Sequence, residues 1–173
     1  NTLIIFTSDH GEMLGEKGRM GKEVFYESVL KVPLIIKPPS NTCYEVGVRK
    51  NLVEVFQIAP TILDYAGISI PPNMTAGSLK PLLENKKIDT PELIFSEFVS
   101  SDRKRIGKCI RTSTHKYISW LPDGEDEFYN LINDPQEQHN LFKIGTEKNK
   151  QQELKERLFS WLANTEWRYN YFD

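Results

Sequence analysis

Asp9 and His10 stand side by side after an apolar run, "TLIIF", and just before Gly11. Lys22 comes thirteen residues after Asp9, in a second glycine-flanked segment of the same stretch, "TSDHGEMLGEKGRMGK". A carboxylate is a hard oxygen donor for a divalent cation. An imidazole is a nitrogen donor that suits zinc or manganese better than calcium. An ammonium on a flexible stem neutralises an anion's oxygen without needing a planar partner. Each residue also has a plainer reading. An Asp before Gly at the end of a strand is commonly a turn residue or cap, a loop histidine commonly satisfies itself locally, and most lysines are solvated. From the residues alone both sets of readings stay open.

The elements that must position this stretch are legible around it. "TLIIFTS" and "KVPLIIK" are continuous apolar runs, as expected of strands covered on both faces of a parallel sheet. Pro38-Pro39 ends the second run, because proline donates no ladder hydrogen bond. Between them, Val24, Phe25, Ser28 and Val29 fall at helical spacing, so strand, loop, helix and strand follow the βαβ pattern. Leu52, Val55, Phe56, Ala59, Ile62, Leu63 and Ala66 predict one apolar helix face, with a start or kink at Pro60 and a stop at Gly67. "SLKPLL" is a short helical turn. From about residue 92 the texture changes to short strand-like runs, "ELIFSEF", "KCIRTSTHKYISW" and "EFYNLIND", with an Asp-Gly turn signal in "LPDGED". This predicts an antiparallel sheet, followed by an amphipathic helix with Leu154, Leu158, Trp161 and Leu162 as its stripe.

The composition excludes several classes. The 173 residues are 39% hydrophobic and 27% charged, the balance of a globular chain. A formal charge of −2 argues against nucleic-acid binding. No apolar run approaches the ~20 residues of a membrane span. Cys43 and Cys109 have no metal spacing, and two free thiols are expected rather than a disulfide. The chain begins with Asn1, inside a strand, and is read as the C-terminal piece of something longer. The sequon Asn73-Met74-Thr75 accepts a glycan only in a secretory pathway, so secreted, periplasmic and lysosomal compartments all stay open.

"TSDHGEMLGEKGRMGKEVFYESVLKVPLII" resembles the second signature region of the type I sulfatases, in the alkaline phosphatase superfamily. "VEVFQIAPTILDYAGISIPPNMTAGSLKPLL", "IRTSTHKYI" and "FYNLINDPQEQHNL" resemble later family segments, in the same order and spacing. "SDHGEMLGE" also resembles the choline-sulfatase-like branch. The resemblance implies an α/β fold, the C-terminal part of an alkaline-phosphatase-like sulfatase. That fold would hold an incomplete parallel-type sheet plus a small antiparallel sheet with a C-terminal helix. Residues 1–91 would belong to the catalytic domain and 92–173 to a small subdomain.

The resemblance further implies roles. Asp9 becomes a metal ligand. His10 becomes a ligand, or a catalytic group hydrogen-bonded to the ester's oxygens. Lys22 reaches the sulfate as a catalytic and substrate-binding residue, and Lys17 stands where many members have His and is a substrate-side candidate. The cofactor would be a divalent metal, calcium first, with manganese or zinc as alternatives. The family nucleophile, a formylglycine made in a Cys-x-Pro-x-Arg or Ser-x-Pro-x-Arg motif, would lie in an N-terminal half of the protein; Cys43, in "NTCYEVG", does not match it. The expected partner is a sulfated small molecule or glycan, with no nucleic acid and no membrane span. A phosphonate monoester or phosphodiester hydrolase of the same superfamily is the alternative, and an inactive truncated remnant a third reading. Gln57, where an Asp is usual, is expected to be structural. His115 and His139 read first as surface residues rather than catalytic ones, Glu97 and Arg111 are lesser candidates for lining a substrate pocket from the small sheet, and Trp120, Trp161 and Trp167 read as packing.

Overall fold

The computed structural model describes residues 1–86, 91–122 and 124–169, without the side chains of 166–169, so the Asp of the Asp-Gly signal and the Trp167 ring lie outside the described residues. The chain divides into two compact units, Asn1–Gly11 with Lys31–Glu92, and Glu12–Leu30 with Leu93–Asp173.

In the first unit β1 (Ile4–Thr7) pairs with β2 (Leu34–Lys37). The pairing is antiparallel, with Ile4 opposite Lys37 and Thr7 opposite Leu34, where a parallel pair was expected. The reason lies in the connection. A parallel pair needs a crossover element laid on its own sheet. Here the only α-helix between the strands, α1, is the four-residue Glu27–Leu30, and the segment 12–30 belongs to the other unit. One face of the pair carries Ile4, Phe6 and Ile35, which are 53%, 60% and 63% exposed.

The long apolar segment gives α2 (Ile58–Tyr65), entered through a single 3-10 turn at Val55–Gln57. Gln57 is structural, as expected: its side-chain oxygen accepts the Glu54 amide at 2.9 Å, half of a capping box. Pro60 is the third helical residue, where an amide would have no intrahelical partner, so it marks a start rather than a kink. Gly67 ends the helix at φ 71, a left-handed conformation that favours glycine. The buried side of α2 differs from the expected face. Pro60 and Thr61 are buried, whereas Val55, Phe56 and Ile62 are exposed. A hydrogen bond sets that orientation: the buried Thr61 Oγ1 accepts the Leu79 amide at 2.8 Å, just ahead of α3 (Lys80–Leu83).

The second unit is a four-stranded antiparallel sheet in sequential order, β3 (Leu93–Val99), β4 (Ile106–Thr112), β5 (His115–Leu121) and β6 (Glu127–Asn130). The run "KCIRTSTHKYISW" splits into two strands because Thr112 Oγ1 accepts the Thr114 and His115 amides at 3.2 and 2.9 Å, which turns the chain. The central strands β4 and β5 are largely buried on both faces, whereas no residue of the edge strand β3 is buried. On one face Ile110, Tyr117 and Phe128 pack with Leu154, Leu158 and Leu162 of α5 (Lys148–Tyr169), and Trp161 stacks on Phe95 at 4.2 Å. On the other, Cys109, Ile118, Trp120 and Tyr129 pack with Phe25. A one-turn helix, α4 (Leu141–Ile144), is capped by Asn140, whose side chain accepts the Phe142 amide at 3.0 Å. Both cysteines are free, Cys43 exposed and Cys109 buried. Among the described residues no helix is long and apolar enough to cross a membrane.

Candidate functional site

Asp9 and His10 follow β1 directly, and local hydrogen bonds shape the corner. The His10 amide donates to Asp9 Oδ1 at 3.0 Å, and Ser8 Oγ donates to the His10 carbonyl at 2.8 Å. His10 Nδ1 lies 2.8 Å from the Gly11 carbonyl. A carbonyl oxygen only accepts, so Nδ1 carries the proton and the lone pair of the neutral ring is on Nε2. That Nε2 sits 3.4 Å from Asp9 Oδ2. An oxygen and a nitrogen lone pair at this separation match two ligands of one cation, with bonds of about 2.0–2.2 Å each. The Nδ1–H···O=C bond is the orienting contact that metal-bound histidines use. Among the described residues no group of three or more His, Cys, Asp or Glu side chains is placed to hold a metal ion. Asp9 and His10 therefore fit a metal as part of a larger donor set, since zinc and calcium take about four to eight ligands.

Lys17 and Lys22 lie on the second unit, in a loop that closes on itself. Met13, 1% exposed, anchors the loop; its amide donates to the Gly21 carbonyl at 3.1 Å. The Gly15 amide donates to Arg19 at 2.9 Å, and the Gly21 amide to the Glu12 carboxylate. Gly15 and Gly21, at φ 94 and 87, make these reversals without a Cβ clash. Lys22 leaves the closure point with an exposed side chain. Lys17 is engaged: its ammonium donates to the Glu137 carbonyl and lies 4.7 Å from the Tyr26 ring centre. The structure thus brings Asp9 together with His10, and carries Lys17 and Lys22 on the other unit.

A group that sequence reasoning missed holds this loop in place. Lys116, fully buried, donates to Glu27 Oε1 at 2.7 Å, Glu137 Oε1 at 2.7 Å and the Phe25 carbonyl at 2.8 Å. Its three protons thus meet three acceptors. Glu137 Oε2 accepts the Glu27 amide at 2.7 Å, and Arg111 clamps Glu27 with two bonds of 2.9 and 3.0 Å. Burial alone would raise the Glu27 carboxyl, but Arg111 and Lys116 override it and hold it at about 2. The signal was present: Lys116 shares a strand face with Ile118 and Trp120, which are buried on the Phe25 side. The remaining candidates are each paired with an oppositely charged or titratable neighbour. Glu97 pairs with Lys108, His115 with Glu147 at 2.8 Å, and His139 with Asp134 at 3.5 Å.

A family model described as N-sulphoglucosamine sulphohydrolase, C-terminal, matches residues 15–164. The chain belongs to the sulfatase family. Over 167 residues it is 34% identical to an N-acetylglucosamine-6-O-sulfatase of Bacteroides thetaiotaomicron, a match that covers 91% of this chain and 29% of that protein. A solved putative sulfatase of Bacteroides thetaiotaomicron shares the fold at a TM-score of 0.86 and 25% identity, over 99% of this chain and 38% of that one. Another solved structure, in complex with its substrate D-glucosamine-2-N,6-O-disulfate, is 31% identical at a TM-score of 0.75, over 99% of this chain and 35% of that one. The fold is shared beyond sulfatases: a phosphonate monoester hydrolase of Agrobacterium radiobacter has a TM-score of 0.82 at 26% identity, over 94% of this chain and 35% of that one. The α/β fold of this sulfatase chain, with its small antiparallel sheet and C-terminal helix, is the expected one apart from the pairing of β1 with β2.

Proposed function

We propose that this chain is the C-terminal part of a metal-dependent sulfatase that hydrolyses sulfate esters of amino sugars to the alcohol and sulfate. The Asp9–His10 geometry carries the reading: a carboxylate oxygen and an imidazole lone pair face one another, with the ring tautomer fixed by the Gly11 carbonyl. Asp9 and His10 would hold a divalent cation, calcium first, with manganese or zinc favoured if His10 ligates. Such an ion supplies charge to the ester's oxygens and acidifies the nucleophile. Lys22 would neutralise a sulfate oxygen, which gains charge as the S–O bond breaks. In the alternative role His10 does not ligate the ion: a protonated Nε2 would instead donate a hydrogen bond to an ester oxygen. Lys17 is the second substrate-side residue, on condition that it exchanges the Glu137 carbonyl for an anion. The nucleophile, a formylglycine by family resemblance, is assigned to an N-terminal half that this chain needs as its partner, since neither Cys43 nor Cys109 lies in a matching motif.

The named relatives and the family model support the amino-sugar class. A second reading, phosphonate monoester hydrolysis, is favoured by the shared fold of the Agrobacterium radiobacter enzyme. The test is turnover of an aryl sulfate beside an aryl phosphonate by the full-length polypeptide, with metal content by elemental analysis. Asp9→Asn and Asp9→Ala should lose metal and lose activity by orders of magnitude. Lys22→Ala should keep the metal while losing turnover. If Asp9→Asn retains both metal and activity, Asp9 is a turn residue and the proposal fails.

A further inference from the structure

Glu137 lies in a turn after β6, where its amide donates to the Asp134 carbonyl at 3.0 Å. Its φ of 56 is left-handed, a conformation that suits glycine and strains a residue with a Cβ. The residue nonetheless carries a carboxylate, and it is 2% exposed. Strain and burial of a charge are each unfavourable by themselves. An apolar side chain of similar volume would fill the space without the desolvation cost. What a carboxylate adds is direction, because its oxygens accept only along fixed lines.

Those lines all lead to the segment 12–30. The Glu137 carbonyl accepts the Lys17 ammonium. Oε1 accepts Lys116 at 2.7 Å, and the same ammonium donates to the Phe25 carbonyl at 2.8 Å. Oε2 accepts the Glu27 amide at 2.7 Å. Lys22 stands between these anchored points, five residues after Lys17 and three before Phe25. The closure bonds from Met13 to Gly21, and from Gly21 to Glu12, tie the chain immediately before it. Without such anchors a glycine-rich loop samples many backbone conformations, and an exposed lysine on it has no fixed aim. Glu137 and the segment belong to one unit, so these bonds lie within a single packed body.

We infer that Glu137 is a positioning residue: through its carbonyl and both carboxylate oxygens it fixes the loop on either side of Lys22, and so aims that ammonium at the sulfate oxygen it neutralises. The aim at sulfate rests on the sulfatase reading; the fixing of the loop rests on the hydrogen bonds.

The test uses Glu137→Gln in the full-length polypeptide, which keeps the volume and removes the charge facing Lys116. Hydrogen exchange of residues 12–22 should quicken at least about tenfold, the scale of one lost charged hydrogen bond. A residue that only stabilises the fold would quicken the slowest amides, those of β4 and β5 that open with the whole unit, and leave the local opening of the loop unchanged. With an aryl sulfate, kcat should fall about a hundredfold, as for a reacting group displaced by about 1 Å, at unchanged metal content. In a Lys22→Ala background the same substitution should have little further effect, since both act through one ammonium. Glu137→Asp keeps the charge but shortens the reach to the Glu27 amide, and the same readings are expected of it if Glu137→Gln does not fold. Unchanged exchange of residues 12–22, or losses that multiply in the double variant, would each overturn the inference. A wild type that hydrolyses neither sulfate nor phosphonate would sink the hydrolase reading, while the exchange of residues 12–22 would still decide whether Glu137 fixes the loop.

Discussion

Lys116 shows how one residue fixes the loop that carries Lys22. Its ammonium is removed from water and repaid by three acceptors, two of them carboxylates. Cutting it back to Met leaves Glu137 buried without its cation, while Glu27 keeps Arg111, and breaking a buried pair in this way costs about 3–5 kcal/mol. Urea unfolding of Lys116→Met should show that loss; a loss below about 1 kcal/mol is the scale of a surface pair and would refute the account. Glu27 gives a pH signature. Its folded pKa is about 2 against an ordinary 4.5. A depressed carboxyl contributes stability that is present above the unfolded value and lost as pH falls through the folded one. The contribution, about 3 kcal/mol, should therefore fade between pH 4.5 and 2. Glu27→Gln removes it, so the variant's urea midpoint should vary less over that window than the wild type's. Parallel curves would show that Arg111 and Lys116 do not act through Glu27.

At the scale of elements, β4 passes so close to the aromatic layer that only glycine fits at 107. A Cβ there would stand within 3.0 Å of the Phe25 and Trp120 rings. Those rings pack tilted at a centroid distance of 5.2 Å and have little freedom to retreat. Gly107→Ala should cost about 1–3 kcal/mol by overpacking, measured as a lower urea midpoint. Unchanged stability would mean that Phe25 moves freely. On the opposite face of the sheet, Leu158 of α5 is fully buried among Ile110, Tyr117 and Phe128. Leu158→Ala should cost about 2–5 kcal/mol, and its circular dichroism should stay native below the transition. If α5 were only a surface element, the same substitution would be nearly silent.

The whole chain presents an apolar sheet face, Ile4, Phe6 and Ile35, and an apolar side of α2 and its entering 3-10 turn, Ile62 with Val55 and Phe56. Exposed apolar faces and unpaired strand edges favour association. Sedimentation of the 173-residue chain should show mass rising with concentration, and Ile35→Lys should reduce the effect. A concentration-independent monomer would count against this. The same chain alone should hydrolyse no aryl sulfate in the presence of calcium, because no group of three or more candidate metal ligands occurs among its described residues and no formylglycine motif occurs in its sequence. Turnover above a denatured control would reverse that expectation.

The sequence by itself determined the antiparallel sheet from residue 92 onward, the stripe of α5, the stops at Gly67 and the Pro38-Pro39 pair, and the family. These are local: period, turn chemistry and motif order need no partner to be read. It also identified Asp9, His10 and Lys22 as the residues worth asking about, though their roles still await the experiments above. Tertiary structure decided what depends on distant partners. β1 and β2 pair antiparallel because the segment between them packs with another unit, which no pattern within "TLIIFTS" or "KVPLIIK" records. The buried side of α2 follows from the Thr61 bond to Leu79, eighteen residues away. Lys116, Glu27 and Glu137 meet across 110 residues of chain, so their charges looked like ordinary surface residues until folding removed the water around them.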